Sequence, residues 1–386
     1  MRLVLFLGSH IEISKVEAVE FLGLESTTLE GDLLFADVSD SFDLSRISLL
    51  GGTPQVDLVV KEFGLRDKIV ESLTEYIQNS KIYHFLLDFH SSVRESIIIV
   101  RKEVLRRLKK RDSSFRYAGD IRERSNNTVT KLKLLKKGDS VLTLIRVDNK
   151  YIITKSIYVQ DSSMWSSLDY EKPRIDMKVG MLPSKLARIM VNLTLPESNT
   201  VIWDPFCGFG NVMIQALMLG AFAIGTDQSN EILKSARDNI RWAKTKGYIK
   251  KMCFYTAEYN IKSSEILKTI LDMSRNAIKR AVVTEGFLGK MRRHPFRNRR
   301  EAVFEWQRIS IVYSNLLKKA DSFLRSGDRL AIIFPKFKYL EGKTEKWYNT
   351  RSFSFGAYKD LSGGKILDWV HKDSIVGREL VVLEKR

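Results

Sequence analysis

The chain has 386 residues, 44% hydrophobic and 28% charged, and its 64 Lys and Arg against 46 Asp and Glu leave a net charge of +18. That length gives two or three domains with buried cores, and the basic excess points to a polyanionic partner. Two cysteines without a CxxC pair, Cys207 and Cys253, exclude a disulfide framework and a cysteine zinc site and predict a reducing, cytoplasmic setting.

The first predicted element is an apolar strand at residues 3–7, too short for a signal peptide or a membrane span. Glycine and serine follow it, then a helix at 14–22 and strands at 33–36 and 56–60, a small α+β pattern. A second pattern starts with a strand at 83–89. Ile97, Val100, Val104, Leu105 and Leu108 then recur at helical spacing. The other positions carry Arg101, Lys102, Arg106, Arg107, Lys109, Lys110 and Arg111, a strongly basic helix face. Strands at 141–147 and 151–159 flank the turn Asp148-Asn149-Lys150. Residues 160–171 are polar and read as a linker.

The basic charge is concentrated. Residues 101–150 hold 16 basic against 6 acidic residues and 251–300 hold 12 against 4, whereas 1–100 hold 8 against 16. Two cationic blocks in an otherwise acidic or neutral chain are what a phosphate backbone requires. A solvated charged surface is the plainer alternative.

Beyond residue 180 the order is strand (201–203), glycine loop, helix (212–219), strand ending in Asp227, helix (230–246), with later strands at 278–284, 329–334 and 379–383. That order predicts a doubly wound, Rossmann-like α/β domain with a parallel sheet. The loop between its first strand and helix reads Asp204-Pro205-Phe206-Cys207-Gly208-Phe209-Gly210-Asn211. Its glycines let backbone approach a ligand, and the helix start offers free amides. Asp227, with Gln228 after it, stands where a carboxylate accepts ribose hydroxyls. A dinucleotide site would need a third glycine where Met213 stands, and an acid suits pyrophosphate badly. S-adenosyl-L-methionine, with its ammonium and sulfonium, suits Asp204 better. Cys207 reads as a small packed residue rather than a nucleophile, because no base is placed beside it.

Asp-Pro-Phe-Cys-Gly-x-Gly resembles the first cofactor motif of Rossmann methyltransferases that act on amino groups of RNA or DNA bases. Lys172-Pro173-Arg174 and the run from Met181 through Lys185 to Leu193 are similar to the segment before that motif in tRNA guanosine N2-methyltransferases of the guanine-10 type. The resemblance implies a ferredoxin-like domain at 1–80, an RNA-binding THUMP module at 81–162, a linker at 163–180 and a class I methyltransferase domain at 181–386. It further implies that Asp204, Pro205, Phe206, Cys207, Gly208, Gly210, Asn211, Asp227 and Gln228 bind the cofactor, with Asp204 and the 208–211 backbone around the methionine moiety and Asp227 at the ribose. Ala257 and Glu258 would contact adenine, and Met181 and Lys185 would close over the cofactor.

The family's usual Asp-Pro-Pro-Tyr is absent. At its place stand Thr284-Glu285-Gly286-Phe287, so Glu285 would accept hydrogens from the amine beside the Gly286 carbonyl, and Phe287 would stack on the base. An altered or inactive site is the alternative. Lys290, Arg292, Arg293, Arg297, Arg299 and Arg300 follow, a cationic loop that would grip phosphates around an extruded nucleotide. His294 lies among them without a cluster that would hold a metal. The expected activity is S-adenosylmethionine-dependent methylation of a guanosine N2 in tRNA. The other readings are an RNA-binding protein that has lost catalysis, a DNA amino-methyltransferase and a nicotinamide dehydrogenase.

Overall fold

The computed structural model describes residues 1–64, 69–119, 128–175, 181–259, 265–290, 292–350, 356–371 and 373–386. They form two units, Met1–Ile11 with Leu22–Met164, and Glu12–Phe21 with Trp165–Arg386.

In chain order, the elements up to the junction are β1 (Arg2–Phe6), α1 (Ile11–Leu22), β2 (Thr27–Glu30), β3 (Leu33–Asp37), β4 (Gln55–Gly64), α2 (Ile69–Asn79), β5 (His84–Phe89), α3 (Ile97–Arg111), β6 (Arg116–Tyr117), α4 (Thr128–Lys136), β7 (Ser140–Val147), β8 (Lys150–Val159) and α5 (Ser162–Tyr170). The eight strands make one sheet in the order β2-β3-β1-β4-β8-β7-β5-β6. Residues expected in separate modules on either side of position 80 share it, because β4 pairs antiparallel with β8 from Gln55↔Val159 to Gly64↔Lys150. The β7–β8 hairpin turns at Asp148, whose φ of +48° a short polar side chain tolerates.

Helix α3 forms because Val100, Val104 and Leu108 put one apolar stripe onto Phe85, Leu87, Leu142 and Leu144. Beneath the sheet lies a buried polar network. Gln55 donates to Asp57, Thr143 and Ser156, and Lys131 of α4 donates to Gln55 and pairs with Asp88.

The stretch expected as a structure-poor linker is helical in its first part. Asp161 caps α5 by accepting from the amides of Ser163 and Met164, and Trp165 and Leu168, three apart, bury one face. A polar composition masked that apolar pair. The expected linker residues 176–180 lie outside the described residues.

The second unit continues with α6 (Ser184–Leu193), β9 (Thr200–Asp204), α7 (Asn211–Met218), β10 (Phe222–Asp227), α8 (Asn230–Thr245), β11 (Phe254–Glu258), α9 (Glu265–Met273), β12 (Lys279–Glu285), α10 (Arg299–Phe323), β13 (Arg329–Glu341), β14 (Thr344–Asn349), β15 (Tyr358–Asp360), β16 (Leu367–Trp369) and β17 (Val376–Lys385). The sheet order is β11-β10-β9-β12-β13-β17-β15, with β14 on β13 and β16 on β17. Strands β11 to β13 of that order are parallel, and β17 returns antiparallel to β13. Helices α9 and α10 cover one face, with Ile270, Trp306, Tyr313 and Phe323 against Trp203, Val282 and Ile332. The alternate residues Ile202, Ala281 and Val283 are buried as well, as a sheet covered on both faces requires.

The strand order reverses at β9: β10 and β11 extend the sheet to one side of it, β12 and β13 to the other. In an open α/β sheet, a crevice for ligand opens at the carboxyl ends of such strands.

Candidate functional site

A cavity of about 670 Å³ opens at that reversal, walled by Asp204, Phe206, Cys207, Gly208 and Asn211 from the first loop and Asp227 and Gln228 from the second. Glu285, Gly286 and Phe287 close another side, and Met181, Ile232, Tyr259 and Val312 are among the other residues that line it. Thus the expected cofactor loop and the residues expected to act on substrate face one space.

The loop is held from below. Trp203 Nε1 donates to Thr226 Oγ1 at 3.0 Å, and the Cys207 amide donates to the Thr226 carbonyl at 2.9 Å. Gly208 and Gly210 have φ of +48° and +85°, and a Cβ on Gly210 would stand 3.3 Å from that of Ala236, so helix α8 packs where only glycine fits. Asn239 of α8 donates to the Phe209 and Arg174 carbonyls at 2.9 and 2.8 Å. Lys172 donates to Asn211, which lines the cavity and donates to the Leu182 carbonyl. Lys172 is 3% exposed, and burial lowers its pKa to about 8.

Two carboxylates define the site's electrostatics. Asp204 is 3% exposed; Thr284 Oγ1 donates to it at 2.7 Å and the Phe206 amide at 3.2 Å. Burial, with Asp227 and Glu285 nearby, still raises its pKa to about 7. Asp227 accepts from the amides of Gly208 at 3.2 Å and Ser229 at 3.1 Å, and burial raises its pKa too. Acids held above their ordinary range favour a cationic or hydroxyl-rich ligand. S-adenosylmethionine fits the donor set: carboxylates for its ammonium and ribose, glycine backbone for close approach, and apolar Phe206, Ile232, Tyr259 and Val312 for a ring. Where a dinucleotide fold needs its third glycine, Met213 instead fills the space above Gly225, where a Cβ would collide with its sulfur. Cys207 is buried and its thiol is pushed well up, so it is a packed residue.

Several expected contacts fall elsewhere. Ala257 and Glu258 do not wall the cavity. Glu258 turns to Asn230, while the next residue, Tyr259, donates its amide to the Asp227 carbonyl at 2.8 Å and faces the cavity. Pro205, Gly210 and Lys185 are not among the residues that wall the cavity, and Lys185 lies half-buried with its ammonium 5.9 Å from the Trp165 ring centre. Arg101 is not offered to solvent. It is 1% exposed, donates to the Leu87 carbonyl at 2.8 Å and pairs with Asp88 at 3.7 Å, because its helix position points inward beside Val100 and Val104.

The remaining basic residues are on the surface. Lys102, Arg106, Lys109, Lys110 and Arg111 of α3 are exposed and Arg107 half-exposed, though Arg106 and Arg107 both pair with Glu103. Lys290, Arg292, Arg293, Arg297, Arg299 and Arg300 are all exposed. Their segment is tethered by Phe296, which is 3% exposed and bonds to the backbone of Lys338 and Leu340. Arg292 covers the Phe296 ring at 3.8 Å. Among the described residues no group of acids, histidines and cysteines would hold a metal ion, and no helix is long and apolar enough to cross a membrane.

At the end of β12, Glu285 is paired with Arg378 at 2.5 Å, and Gly286 lies flat on Tyr313. A Cβ on Gly286 would stand 2.6 Å from the Tyr313 ring, whose hydroxyl lies 3.3 Å from the carbonyls of Phe287 and Ile333.

Fold and cavity together define a doubly wound, Rossmann-like α/β domain with a ligand crevice where its strand order reverses. Residues 172–285 match the UPF0020 family model, described as an RMKL-like methyltransferase domain. It is 24% identical over 225 residues to tRNA (guanine(10)-N2)-dimethyltransferase of Methanothermobacter thermautotrophicus, covering 57% of this chain and 59% of that one. The same enzyme of Methanocaldococcus jannaschii is 28% identical over 181 residues, covering 44% of this chain and 50% of that one. The match therefore spans between half and three fifths of these relatives. The crystal structure of TrmN from Thermus thermophilus is 12% identical and superposes over 100% of both chains with a TM-score of 0.52, a likeness of fold.

Proposed function

We propose that the protein is an S-adenosylmethionine-dependent methyltransferase that modifies the exocyclic N2 of a guanosine in tRNA in the cytoplasm. The observation that carries this reading is one cavity walled both by the Asp204–Asp227 cofactor loops and by Glu285, Gly286 and Phe287. The names of the tRNA-modifying relatives and the exposed cationic segment that follows directly support the choice of substrate.

Bound in the cavity, S-adenosylmethionine supplies an electrophilic methyl group on a sulfonium. Asp227 would take the ribose hydroxyls, Asp204 would face the cationic end, and Phe206, Ile232 and Tyr259 would flank the adenine. An amine conjugated to a base is a poor nucleophile. Glu285 and the Gly286 carbonyl would accept its hydrogens and raise electron density on nitrogen, while Phe287, 43% exposed at the cavity rim, would stack on the base and fix its approach. The nitrogen that gains a methyl group sheds one proton, through Glu285, to solvent.

We assign residues 1–80 to a ferredoxin-like part and 81–162 to a THUMP-like part, which hold the RNA through the exposed cations of α3. In the second unit, the 290–300 segment would grip phosphates around a nucleotide taken out of its stack. Transfer of labelled methyl groups to unmodified tRNA tests the reading. Wild type incorporates label and Glu285→Ala loses at least about a hundredfold. Binding of S-adenosylhomocysteine and tRNA without any transfer would instead mark an RNA-binding protein that has lost catalysis.

A further inference from the structure

Glu285 is a longer, more flexible side chain than an aspartate, and its partner explains how it is held. Its Oε1 accepts from Arg378 Nε at 2.5 Å, and the two side chains are 17% and 15% exposed. No other hydrogen bond to Glu285 occurs among the described residues, so Oε2 remains as an acceptor. Strand register brings the pair together. Glu285 lies opposite Ile333 of β13, and Arg378 lies opposite Pro335 of the same strand from its other side. Beside Arg378, Gly377 lets β17 lie close to the chain just past β16, since a Cβ would meet Val370 at 2.7 Å.

Three groups on neighbouring elements face the Glu285 carboxyl. Asp204 from β9 and the Tyr313 hydroxyl from α10 lie close enough to be raised by its charge. Arg378 from β17 is the one that favours the anion, against the burial that pushes the carboxyl up. Without it, a half-dry carboxyl beside a second acid would take a proton and donate rather than accept.

We propose that Arg378 is a positioning residue for the transfer step, clamping Glu285 as an oriented anion whose free oxygen receives the N–H of a nucleobase amine. The proposal rests on the reading of Glu285 as that acceptor. It places the restraint that a proline-rich turn would give in a partner two strands away.

The test follows the Glu285 carboxyl itself in protein labelled with carbon-13 glutamate, its signal assigned by its loss in Glu285→Gln. In Arg378→Gln the titration midpoint rises by at least about one pH unit, and in Arg378→Lys by less. Single-turnover transfer to unmodified tRNA then shifts its acidic limb upward by the same interval, about a tenfold loss per unit below the midpoint. Arg378→Lys keeps the charge and regains the limb but not the full rate, since it lacks the planar fork. S-adenosylhomocysteine affinity above about pH 7, where Asp204 is ionised, unchanged in both Arg378 variants, reports a folded site. If Glu285 titrates alike in wild type, Arg378→Gln and Arg378→Lys, the clamp is refuted whatever the activity. If the midpoint moves but Glu285→Gln transfers as fast as wild type, the acceptor reading fails and the positioning role with it.

Discussion

Asp204 is a carboxyl with one tight hydrogen bond from Thr284, a second acid beside it, and almost no water. Its pKa of about 7 lies above the unfolded value, so the ligand-free protein binds a proton there more tightly than the unfolded chain. Stability of the free protein from this group therefore falls as pH rises from about 4 to about 7. A ligand carrying an ammonium prefers the ionised form, which reverses the trend for binding. Calorimetry should find S-adenosylhomocysteine affinity flat above about pH 7 and falling toward about tenfold per unit below it, with the slope gone in Asp204→Asn. Affinity independent of pH in the wild type would detach Asp204 from the ligand. At this scale the sequence was informative where a residue type has few uses: Asp204, Gly208, Asn211 and Asp227 are all at the cavity. Ile232, Tyr259 and Val312 were not legible, because an apolar residue after a strand or on a helix has no motif that distinguishes cavity wall from core.

The turn after β12 shows how one element compensates for another. Where the resembled family places proline, Gly286 lies against the Tyr313 ring, and the hydroxyl of Tyr313 reaches the Phe287 carbonyl. Burial pushes that hydroxyl well up, so it remains a donor at every working pH. Gly286→Ala should cost about 1–3 kcal/mol of stability by overpacking, read as a lower denaturant midpoint. Tyr313→Phe should cost about 1 kcal/mol and slow methyl transfer on the order of tenfold, with cofactor affinity kept. Full transfer in Tyr313→Phe would deny the hydroxyl any part in shaping the turn. Neither Tyr313 nor Arg378 was legible, since each stands far along the chain from the residue it supports. The same distance hid the fate of Arg101: helical periodicity marked the apolar stripe, but not that a guanidinium beside it finds Asp88 across the sheet.

Across the whole chain, strands and helices of the second unit follow the sequence pattern closely, because a strand–loop–helix repeat with buried faces leaves few topologies. The first unit was harder, since nothing local announces that β4 will pair with β8, far along the chain. Each unit carries its own exposed cationic surface, so tRNA affinity should depend on both. Neutralising Lys102, Lys109 and Lys110 should flatten the logarithmic salt slope by about 0.7–0.9 for every phosphate that the variant no longer neutralises, and replacing Arg292, Arg293 and Arg297 should do likewise. An unchanged slope would remove that surface from the interface.

The most direct test is nucleoside mass spectrometry of unmodified tRNA incubated with the protein and S-adenosylmethionine. The expected product is guanosine carrying one or two methyl groups on N2, absent when Glu285→Ala replaces the wild type. Methyl groups found on adenosine instead, or a tRNA whose mass never changes while the cofactor is bound, would contradict it.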